Sequence, residues 1–381
     1  MIEIKEVKTK KEIKEFINFP LNLYKNNPYF VPCLYGDEKK MFKKNYLYCD
    51  QALSICYNAY KDGKIVGRIQ GIIQQASNKK WNQKRVRFTR FDSIDDQEVA
   101  SSLFSSVISW AKEQGMEEIV GPLGFSDLDR EGLLIEGFDQ LSTFEEQYNY
   151  EYYSKLIENY GFSKEVDWIE RKLTLPGPLD ERFARITGRI MKKFNLHFST
   201  CKNVKEFIKR YADQFFDIID ETYKDIYATV PFTEKMKKNL ISNFKLIVKI
   251  ENVTVIVDEN DKVVAFGLYF PSIAKSVRDT KGKLFPFGFI KILKEINHPE
   301  GIDLALIGCK DEYQLKGVSS ALIFEVMKML KKPNIKWAET NLNIEDNENI
   351  INQWKNFENV FDRYGMGMAS GLVGGGITSY V

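Results

Sequence analysis

The amino-acid sequence predicts an α/β fold with mixed sheets, arranged as two similar domains in tandem. The first observation is a strand, a turn and a helix in succession. Ile302 to Ile307 is a short apolar run, and Ser319 to Leu330 is apolar at helical spacing. The second is an internal repeat, because Glu98 to Ile119 aligns on Gly317 to Ala338 without a gap. The third is the length of 381 residues, which exceeds what one hydrophobic core usually supports.

The composition describes a globular protein without a strong overall charge. Hydrophobic residues make up 44% and charged residues 28% of the chain, as in proteins that fold in water. A net charge of +2 is too small to indicate a nucleic acid or an anionic membrane from charge alone, so we expect neither as a partner. The N-terminus, Met1 to Glu6, lacks an apolar signal core, which favours a cytoplasmic protein.

Cysteine and histidine usage narrows the possible chemistry. The five cysteines are odd in number and contain no C-x-x-C pair, which is typical of a reducing compartment and indicates no zinc site. With only two histidines, Ser-His-Asp catalysis and histidine-rich metal sites are poor candidates. We therefore expect no metal.

The first half is predicted to be a mixed sheet with helices. A strand and an amphipathic helix over Lys11 to Phe19 open it, and two strands meet in a hairpin around Asp62-Gly63. Asp95-Asp96 opens a helix, because acidic side chains are favoured in a first turn, and Gly115 ends it. The other predicted elements are strands over Arg85 to Phe91, Glu117 to Val120 and Val166 to Leu175, and a helix over Tyr152 to Asn159.

The best domain boundary is Pro176-Gly177-Pro178, because two prolines cannot lie inside regular structure. We therefore predict domains 1–176 and 177–381. The tail from Gly365 through Gly376 is rich in glycine and low in strand signal. In the second half we predict helices over Leu179 to Lys193, Val204 to Tyr223 and Asp346 to Phe357, and strands at His197, Val253 to Val257, Val263 to Tyr269 and Ile335 to Asn341.

The turn from Gln314 to Ser319, between the predicted strand and helix, has the features of an anion site. Free backbone N–H groups and the helix dipole point towards whatever is bound at a helix N-terminus. Gly317 lets a phosphate approach the backbone, and Lys316 adds a positive charge. The first half has Asp95 to Glu98 at the equivalent place, where carboxylates would repel a phosphate. We therefore assign anion binding to the second half only.

This turn resembles the acetyl-CoA loop of the GNAT acyltransferases, whose pattern is Gln/Arg-x-x-Gly-x-Gly/Ala. Gln314, Gly317 and Ser319 fall on the three marked positions, with serine replacing the usual glycine or alanine. The resemblance extends over nearly the whole chain, to a widespread bacterial family of tandem GNAT-like proteins. The segments that carry it include Pro28 to Pro32, Gly121 to Ser126, Gly132 to Phe138, Phe285 to Gly288 and Glu345 to Glu348.

The resemblance implies two tandem GNAT-like domains and an N-acyltransferase that uses acetyl-CoA or another acyl-CoA. The expected reaction is acetyl transfer to an amine of a small molecule or peptide. Glu339 or Asp303 would act as the base. Because the usual tyrosine position falls on Trp354, the acid would be Tyr313 or Tyr364, or the thiolate would leave unaided. The residues implied in cofactor binding are Ile307, Gly308, Cys309, Gln314, Leu315, Lys316, Gly317, Val318, Ser319, Ser320 and Asn347.

Two other functions stay open at this point. One is a non-catalytic GNAT-like protein that binds a ligand, which Trp354 and the unusual tail favour. The other is an aminoacyl-tRNA-dependent transferase of the Fem type, which also uses paired GNAT-like units. The sequence leaves the acceptor, the acyl chain length and the oligomeric state undetermined.

A long segment between Val120 and Tyr152 has no counterpart in the second half. Long loops inside compact domains are usually functional or disordered, and this one is too apolar for a disordered linker. We predict that it walls the acceptor side of a cleft facing Gly317. The alternative is that it only fills a hydrophobic gap in the first domain. Its polar candidates for holding an acceptor are Asp127, Asp129, Arg130 and Glu136.

Overall fold

The structure is a computed structural model that describes residues 1–227, 229–345, 347–366 and 369–372. Helices and strands alternate along the chain, and each of the two sheets contains both parallel and antiparallel pairs. The predicted α/β class with mixed sheets is therefore confirmed. Asp346, the predicted first residue of a helix, and Gly374 to Gly376 of the predicted tail lie outside the described residues.

The chain divides into two compact units. Unit 1 consists of Met1–Ile169, Ala274–Ile292 and the described residues from Arg363 onward. Unit 2 consists of Glu170–Ile273 and Leu293–Asp362. Both units are discontinuous in sequence, whereas the sequence-based division assumes two contiguous domains.

The elements up to residue 174 follow the local signals of the sequence. Thr9 caps the first long helix in a capping box with Glu12, and Asp62 and Gly63 both have positive φ angles in the first hairpin. The elements are β1 (Ile2–Glu6), α1 (Lys10–Leu23), α2 (Tyr35–Lys40), β2 (Ala52–Lys61), β3 (Lys64–Gln74), α3 (Gln75–Trp81), β4 (Arg85–Ser93), α4 (Gln97–Glu113), β5 (Glu118–Gly121), β6 (Leu133–Leu134), α5 (Tyr152–Tyr160), β7 (Ser163–Lys164) and β8 (Asp167–Thr174).

The rest of the chain adds the elements that form most of unit 2. They are α6 (Glu181–Lys193), β9 (His197–Phe198), α7 (Val204–Thr222), α8 (Glu234–Ile247), β10 (Val253–Val257), β11 (Val263–Pro271), α9 (Ala274–Asp279), α10 (Gly288–Asn297), β12 (Gly301–Cys309), α11 (Asp311–Gln314), α12 (Ser319–Leu330), β13 (Trp337–Glu339), β14 (Asn343–Ile344), α13 (Glu348–Gln353), β15 (Glu358–Met366) and β16 (Ala369–Leu372). The glycine-rich tail is thus partly strand, contrary to its low strand signal.

The sheet of unit 1 has the order β1-β2-β3-β4-β5-β16-β7. Helix α4 packs closely on β3, where a side chain at Gly67 or Gly71 would lie within 3 Å of Leu103 or Val107. Those glycines let the apolar face of α4 approach the sheet and complete the core. Strand β16 pairs with β5 on one side and with β7 on the other, so a strand from the C-terminal part of the chain lies inside this sheet.

The sheet of unit 2 runs β15-β8-β13-β12-β11-β10-β9, and β14 pairs with β8. Strand β12 lies between the antiparallel strand β11 and the parallel strand β13. Helix α12 follows β12 and buries Ala321, Leu322 and Met327 in two neighbouring apolar clusters. This strand and helix hold the turn that the sequence marks as an anion site.

Candidate functional site

Strand β12 opens away from β13 in the middle of the unit 2 sheet. The two strands pair only through Gly301, Ile302 and Asp303 of β12, and β13 ends at Glu339 while β12 continues to Cys309. A bulge marks the point of divergence, because Leu268 of β11 pairs with Leu306 and its neighbour Tyr269 pairs with Leu304. The extra residue in β12 is Ala305. A bulge bends the strand that carries it, and here it leaves one edge of β12 open beyond Asp303.

Two side chains donate hydrogen bonds to carbonyl groups on β12. Nδ2 of Asn341 donates to the carbonyl of Ala305 at 2.6 Å, and the hydroxyl of Tyr223 donates to the carbonyl of Ile307 at 3.0 Å. Neither residue was predicted from sequence to belong to the site. The polar run that follows the apolar strand β13 is a signal for Asn341, but no local pattern connects Tyr223 at the end of α7 with β12.

The loop between β12 and α12 is a series of tight turns. Nε2 of Gln314 donates to the carbonyl of Cys309 at 3.0 Å and to Oδ1 of Asp311 at 3.1 Å, so this side chain fastens the start of the loop. The amides of Lys316 and Gly317 donate to the carbonyls of Tyr313 and Gln314 at 3.1 and 3.3 Å. An anion that takes these amides as donors has to displace bonds inside the loop.

Gly317 is required by the backbone of this loop. Its φ angle is +76°, and an added side chain would lie 3.2 Å from Cδ1 of Ile190. The ammonium of Lys316 lies 4.6 Å from the ring centre of Tyr313, and Leu315 is fully exposed. Helix α12 then begins at Ser319 with no side-chain cap, and Val318 just before it is buried. The hydroxyl of Ser320 donates to the carbonyl of Gly317 at 2.6 Å.

Cys309 and Gly308 at the end of β12 are packing residues in this structure. Burial raises the pKa of the Cys309 thiol to about 12, and the nearby carboxylate of Asp311 adds to that shift. The thiol is therefore protonated at neutral pH and a poor nucleophile. A side chain at Gly308 would lie within 3 Å of Phe266 and Ile218, so the strand has no room for one there.

The two predicted bases lie side by side. Asp303 and Glu339 are register partners across the β12–β13 pair, and both are buried. Nζ of Lys172 on β8 lies 3.4 Å from Oε1 of Glu339 and 4.3 Å from the centre of the Trp337 ring. Two buried carboxylates on neighbouring strands, one of them beside the ammonium of Lys172, form a compact acid–base cluster at the start of the open edge.

The predicted acid lies far from this cluster. Tyr313 belongs to α11, beyond the far end of β12, and the strand from Asp303 to Cys309 alone spans about 20 Å. Burial raises the pKa of Tyr313, as does the carboxylate of Glu312. The structure therefore does not bring Tyr313 together with Asp303 and Glu339.

Asn347 precedes α13, where its carbonyl accepts from the amide of Ile351 at 3.1 Å. Trp354, at the usual tyrosine position, is buried against Phe357, and its Nε1 donates to Oδ1 of Asn343 at 2.9 Å. The indole has a packing role and a satisfied hydrogen bond, and it offers no acidic hydroxyl.

Unit 1 has an equivalent strand pair without an equivalent loop. Strands β4 and β5 are parallel, and β4 has a bulge near Arg90, whose φ angle is +48°. Only residues 94–96 connect β4 to α4. The carboxylate of Asp96 accepts from the amide of Glu98 at 2.9 Å and pairs with Lys61 at 2.9 Å. The N-terminus of α4 thus already holds a carboxylate, unlike that of α12.

A buried charged network lies beside the bulge of β4. Oε1 of Glu38 lies 2.9 Å from a terminal nitrogen of Arg90, and Oε2 lies 3.4 Å from one of Arg68. Nε of Arg68 donates to Oδ2 of Asp92 at 2.7 Å. Burial alone would raise the pKa of Glu38, but Arg90 and Arg68 outweigh it and hold that pKa at about 2. No local sequence pattern predicts this network, because Arg68, Arg90 and Asp92 are charged residues within strands, where such residues are usually exposed.

The long loop of unit 1 packs into its own unit and carries buried carboxyls. The Phe125 ring stacks on Tyr48 with 5.1 Å between ring centres, and the guanidinium of Arg130 donates to the carbonyl of Val31 at 2.8 Å. Burial raises the pKa of Glu131 well above its usual range, with Asp127 contributing to that shift. Burial likewise raises the pKa values of Asp129 and Glu145. Whether the loop faces Gly317 stays a prediction.

Comparison with known proteins gives two relatives that span most of the chain. It is 28% identical over 332 residues to Protein YghO of Escherichia coli (strain K12), a match that covers 85% of this chain and 83% of that protein. It is 24% identical over 329 residues to the Bacterial ceramide synthase of Caulobacter vibrioides (strain NA1000 / CB15N), covering 84% of each. No family model matches the chain.

Among solved structures, the fold is similar to that of a tandem GNAT protein from the clavulanic acid biosynthesis pathway, determined without AcCoA. The match covers 99% of this chain and 100% of that protein, with a TM-score of 0.56 and 9% sequence identity. At this identity the likeness shows the fold alone. The predicted fold of two tandem GNAT-like domains is therefore confirmed.

Proposed function

We propose that this protein is an acyl-CoA-dependent N-acyltransferase and that unit 2 binds the acyl-CoA along the open edge of β12. The observation that carries the proposal is the order of three features along the chain: the bulge at Ala305, the positive φ angle of Gly317 and the uncapped start of α12. The tandem GNAT fold supports acyl transfer as the reaction class. In unit 1 the carboxylate of Asp96 occupies the equivalent helix start, so we place no cofactor there.

Each of these features suits one part of an acyl-CoA. The start of α12 and the exposed ammonium of Lys316 attract phosphate groups, because both are positive. The edge of β12 beyond Asp303 accepts the pantetheine arm as an added strand, beside the carbonyls of Ala305 and Ile307 that already accept from Asn341 and Tyr223. The thioester then lies towards the bulge and the carboxylates of Asp303 and Glu339.

The chemistry follows from the position of those carboxylates. The amine nitrogen attacks the thioester carbonyl, the C–N bond forms as the C–S bond breaks, and Glu339 or Asp303 takes the proton that the nitrogen releases. The thiolate leaves and is protonated by the proton held on the base. Nζ of Lys172 lies 3.4 Å from Oε1 of Glu339, beside the cluster.

We further propose that the acceptor is an amine on a long apolar chain. The support is the relative named as a Bacterial ceramide synthase, which matches 84% of the chain at 24% identity. A ceramide is the amide of a fatty acid with a long-chain amino alcohol. The reaction class is the one that the sequence implies, but this acceptor is more apolar than the small molecule or peptide expected there.

Isothermal titration calorimetry with acetyl-CoA and palmitoyl-CoA tests the cofactor site. Gly317→Glu puts a carboxylate into the loop at a position whose positive φ angle disfavours any side chain, and we expect it to weaken acyl-CoA binding at least tenfold. Gly177→Glu is the matched control, since Gly177 lies in an exposed linker with open space around it and binding should not change. Equal affinity of the Gly317→Glu variant and the wild type would refute the placement of the cofactor.

Turnover is tested by chromatographic detection of free CoA with amino alcohols of short and long chain. We expect release only when both acyl-CoA and a long-chain amine are present.

Trp354 in place of the usual tyrosine, together with the internal hydrogen bonds of the loop, favours a second candidate, a ligand-binding protein without turnover. CoA binding that depends on Gly317 without turnover of any amine would support that candidate.

A further inference from the structure

The segment that joins α9 to α10 in unit 1, together with the first turn of α10, exposes a cluster of large apolar side chains. Phe285 is 80% exposed, Phe287 72%, Phe289 39% and Ile290 52%. Elsewhere in the described chain, large aromatic residues are mostly buried in the cores, so three exposed phenylalanines and an exposed isoleucine within six positions stand out. Contiguous exposed apolar patches of this kind mark interaction sites on soluble domains. We call residues 283–291 the aromatic segment.

The aromatic segment is held in place by its backbone. The amide of Tyr35 donates to the carbonyl of Gly282 at 2.8 Å, and the amide of Phe289 donates to the carbonyl of Leu284 at 2.8 Å. Gly282 has a φ angle of +70°, and a side chain there would collide with the carbonyl of Cys33. The phenyl rings therefore project from a fixed turn.

Lysines flank the exposed rings in sequence. Lys281, Lys283 and Lys291 are exposed at both ends of the aromatic segment, and Lys275 is exposed on the preceding helix. The one carboxylate within residues 274–292, that of Asp279, is paired with Arg278 at 2.9 Å. The net charge of +2 for the whole chain therefore hides a local surplus of positive charge.

We propose that the aromatic segment docks on the surface of a membrane that contains anionic lipids. Lysines at the headgroup level gain from the negative surface potential, while phenyl and isoleucyl side chains enter the acyl boundary. None of the helices in the described residues combines the length and apolar composition of a membrane span. The docking is peripheral. It is independent of the proposed reaction, because it needs neither acyl-CoA nor an amine.

Flotation of the full-length protein with vesicles tests the proposal. Vesicles of phosphatidylcholine with phosphatidylglycerol are compared with vesicles of phosphatidylcholine alone, at low and high salt. We expect the wild type to bind the anionic vesicles, and the Phe287→Ser/Ile290→Ser variant to bind at least tenfold less. The matched control is Leu246→Ser, which changes a 75% exposed leucine of α8 and should bind like the wild type.

Two more variants separate the apolar and charged contributions. Phe287→Trp keeps a large aromatic side chain and should retain binding. Lys281→Gln/Lys283→Gln/Lys291→Gln should lower binding to anionic vesicles by about fivefold for each lysine. All variants change exposed residues, and an unaltered thermal transition by circular dichroism verifies that they fold.

Three results would overturn the proposal. The first is a wild type that floats with neither kind of vesicle. The second is undiminished binding of the Phe287→Ser/Ile290→Ser variant. The third is a concentration-dependent dimer in sedimentation that this variant abolishes while vesicles do not bind, which would assign the aromatic segment to a second copy of the chain.

Discussion

Neutralising Glu38 offers a quantitative test of the buried network in unit 1. Glu38 is 6% exposed and contacts the guanidinium groups of Arg90 and Arg68. Glu38→Gln keeps the shape of the side chain and removes its charge. The buried Arg68 is then left with Asp92, and Arg90 loses the carboxylate that it contacts at 2.9 Å. Breaking a buried ion pair in this way typically costs about 3–5 kcal/mol.

The pKa of Glu38 gives a second value for the unfolding free energy that this carboxylate contributes. Its value of about 2, against an ordinary 4.5, corresponds to about 3 kcal/mol of unfolding free energy at neutral pH. Because the folded pKa is depressed, this contribution is complete above about pH 4.5 and is lost as the pH falls towards 2. We therefore expect the wild type to lose roughly 2 kcal/mol from this group between pH 6 and pH 3, and the Glu38→Gln variant to lose none of it.

Urea titrations at pH 7, 6, 4 and 3 measure both effects. Hydrogen exchange of peptides from β3 and β4 identifies the transition that belongs to unit 1. Glu117→Gln is the control, because Glu117 forms an exposed ion pair with Lys84 and should contribute less than about 1 kcal/mol. If Glu38→Gln and the wild type show the same pH dependence, or if the variant is as stable as the wild type at pH 7, the ion pairs do not have the strength inferred here.

Two further changes test other charged groups. Burial raises the folded pKa of Glu131, so the stability that its protonated form contributes is complete below about pH 4.5 and is lost as the pH rises. Glu131→Gln should therefore unfold at a higher urea concentration than the wild type at pH 7, but not at pH 4. A lower urea midpoint for the variant at pH 7 would contradict this. If Glu339 is the base, Glu339→Gln should lower kcat by about 10²–10⁴-fold with unchanged calorimetric affinity for acyl-CoA. Full activity in that variant, together with loss of activity in Asp303→Asn, would assign the role of the base to Asp303.

Local patterns in the sequence predicted the local structure well. Helix α12 occupies the predicted residues, Ser319 to Leu330, and the strand predicted over Ile302 to Ile307 lies within β12. The hairpin at Asp62-Gly63 also forms where the turn residues indicate it. Periodicity and turn chemistry act over a few residues, so one sequence suffices to read them.

The features of the fold and the site that were not predicted depend on residues that are distant in sequence. The bulge at Ala305 and the donors Asn341 and Tyr223 arise from pairing and packing that no local pattern encodes. The network around Glu38 was missed for a related reason, since charged residues in a strand are buried only when partners from elsewhere neutralise them. The positions of Gln314 and Gly317 in one turn were predictable, but the internal hydrogen bonds of that turn were not.

The location of β16 between β5 and β7 bears on how the protein is made. During translation the N-terminal residues leave the ribosome first, yet the sheet of unit 1 lacks an interior strand until residues 369–372 have been added. Until then β5 and β7 present unpaired edges that favour aggregation. A polypeptide ending at residue 176 would keep those edges permanently. The nascent chain therefore gains most from chaperones, or from rapid elongation, during synthesis of its second half.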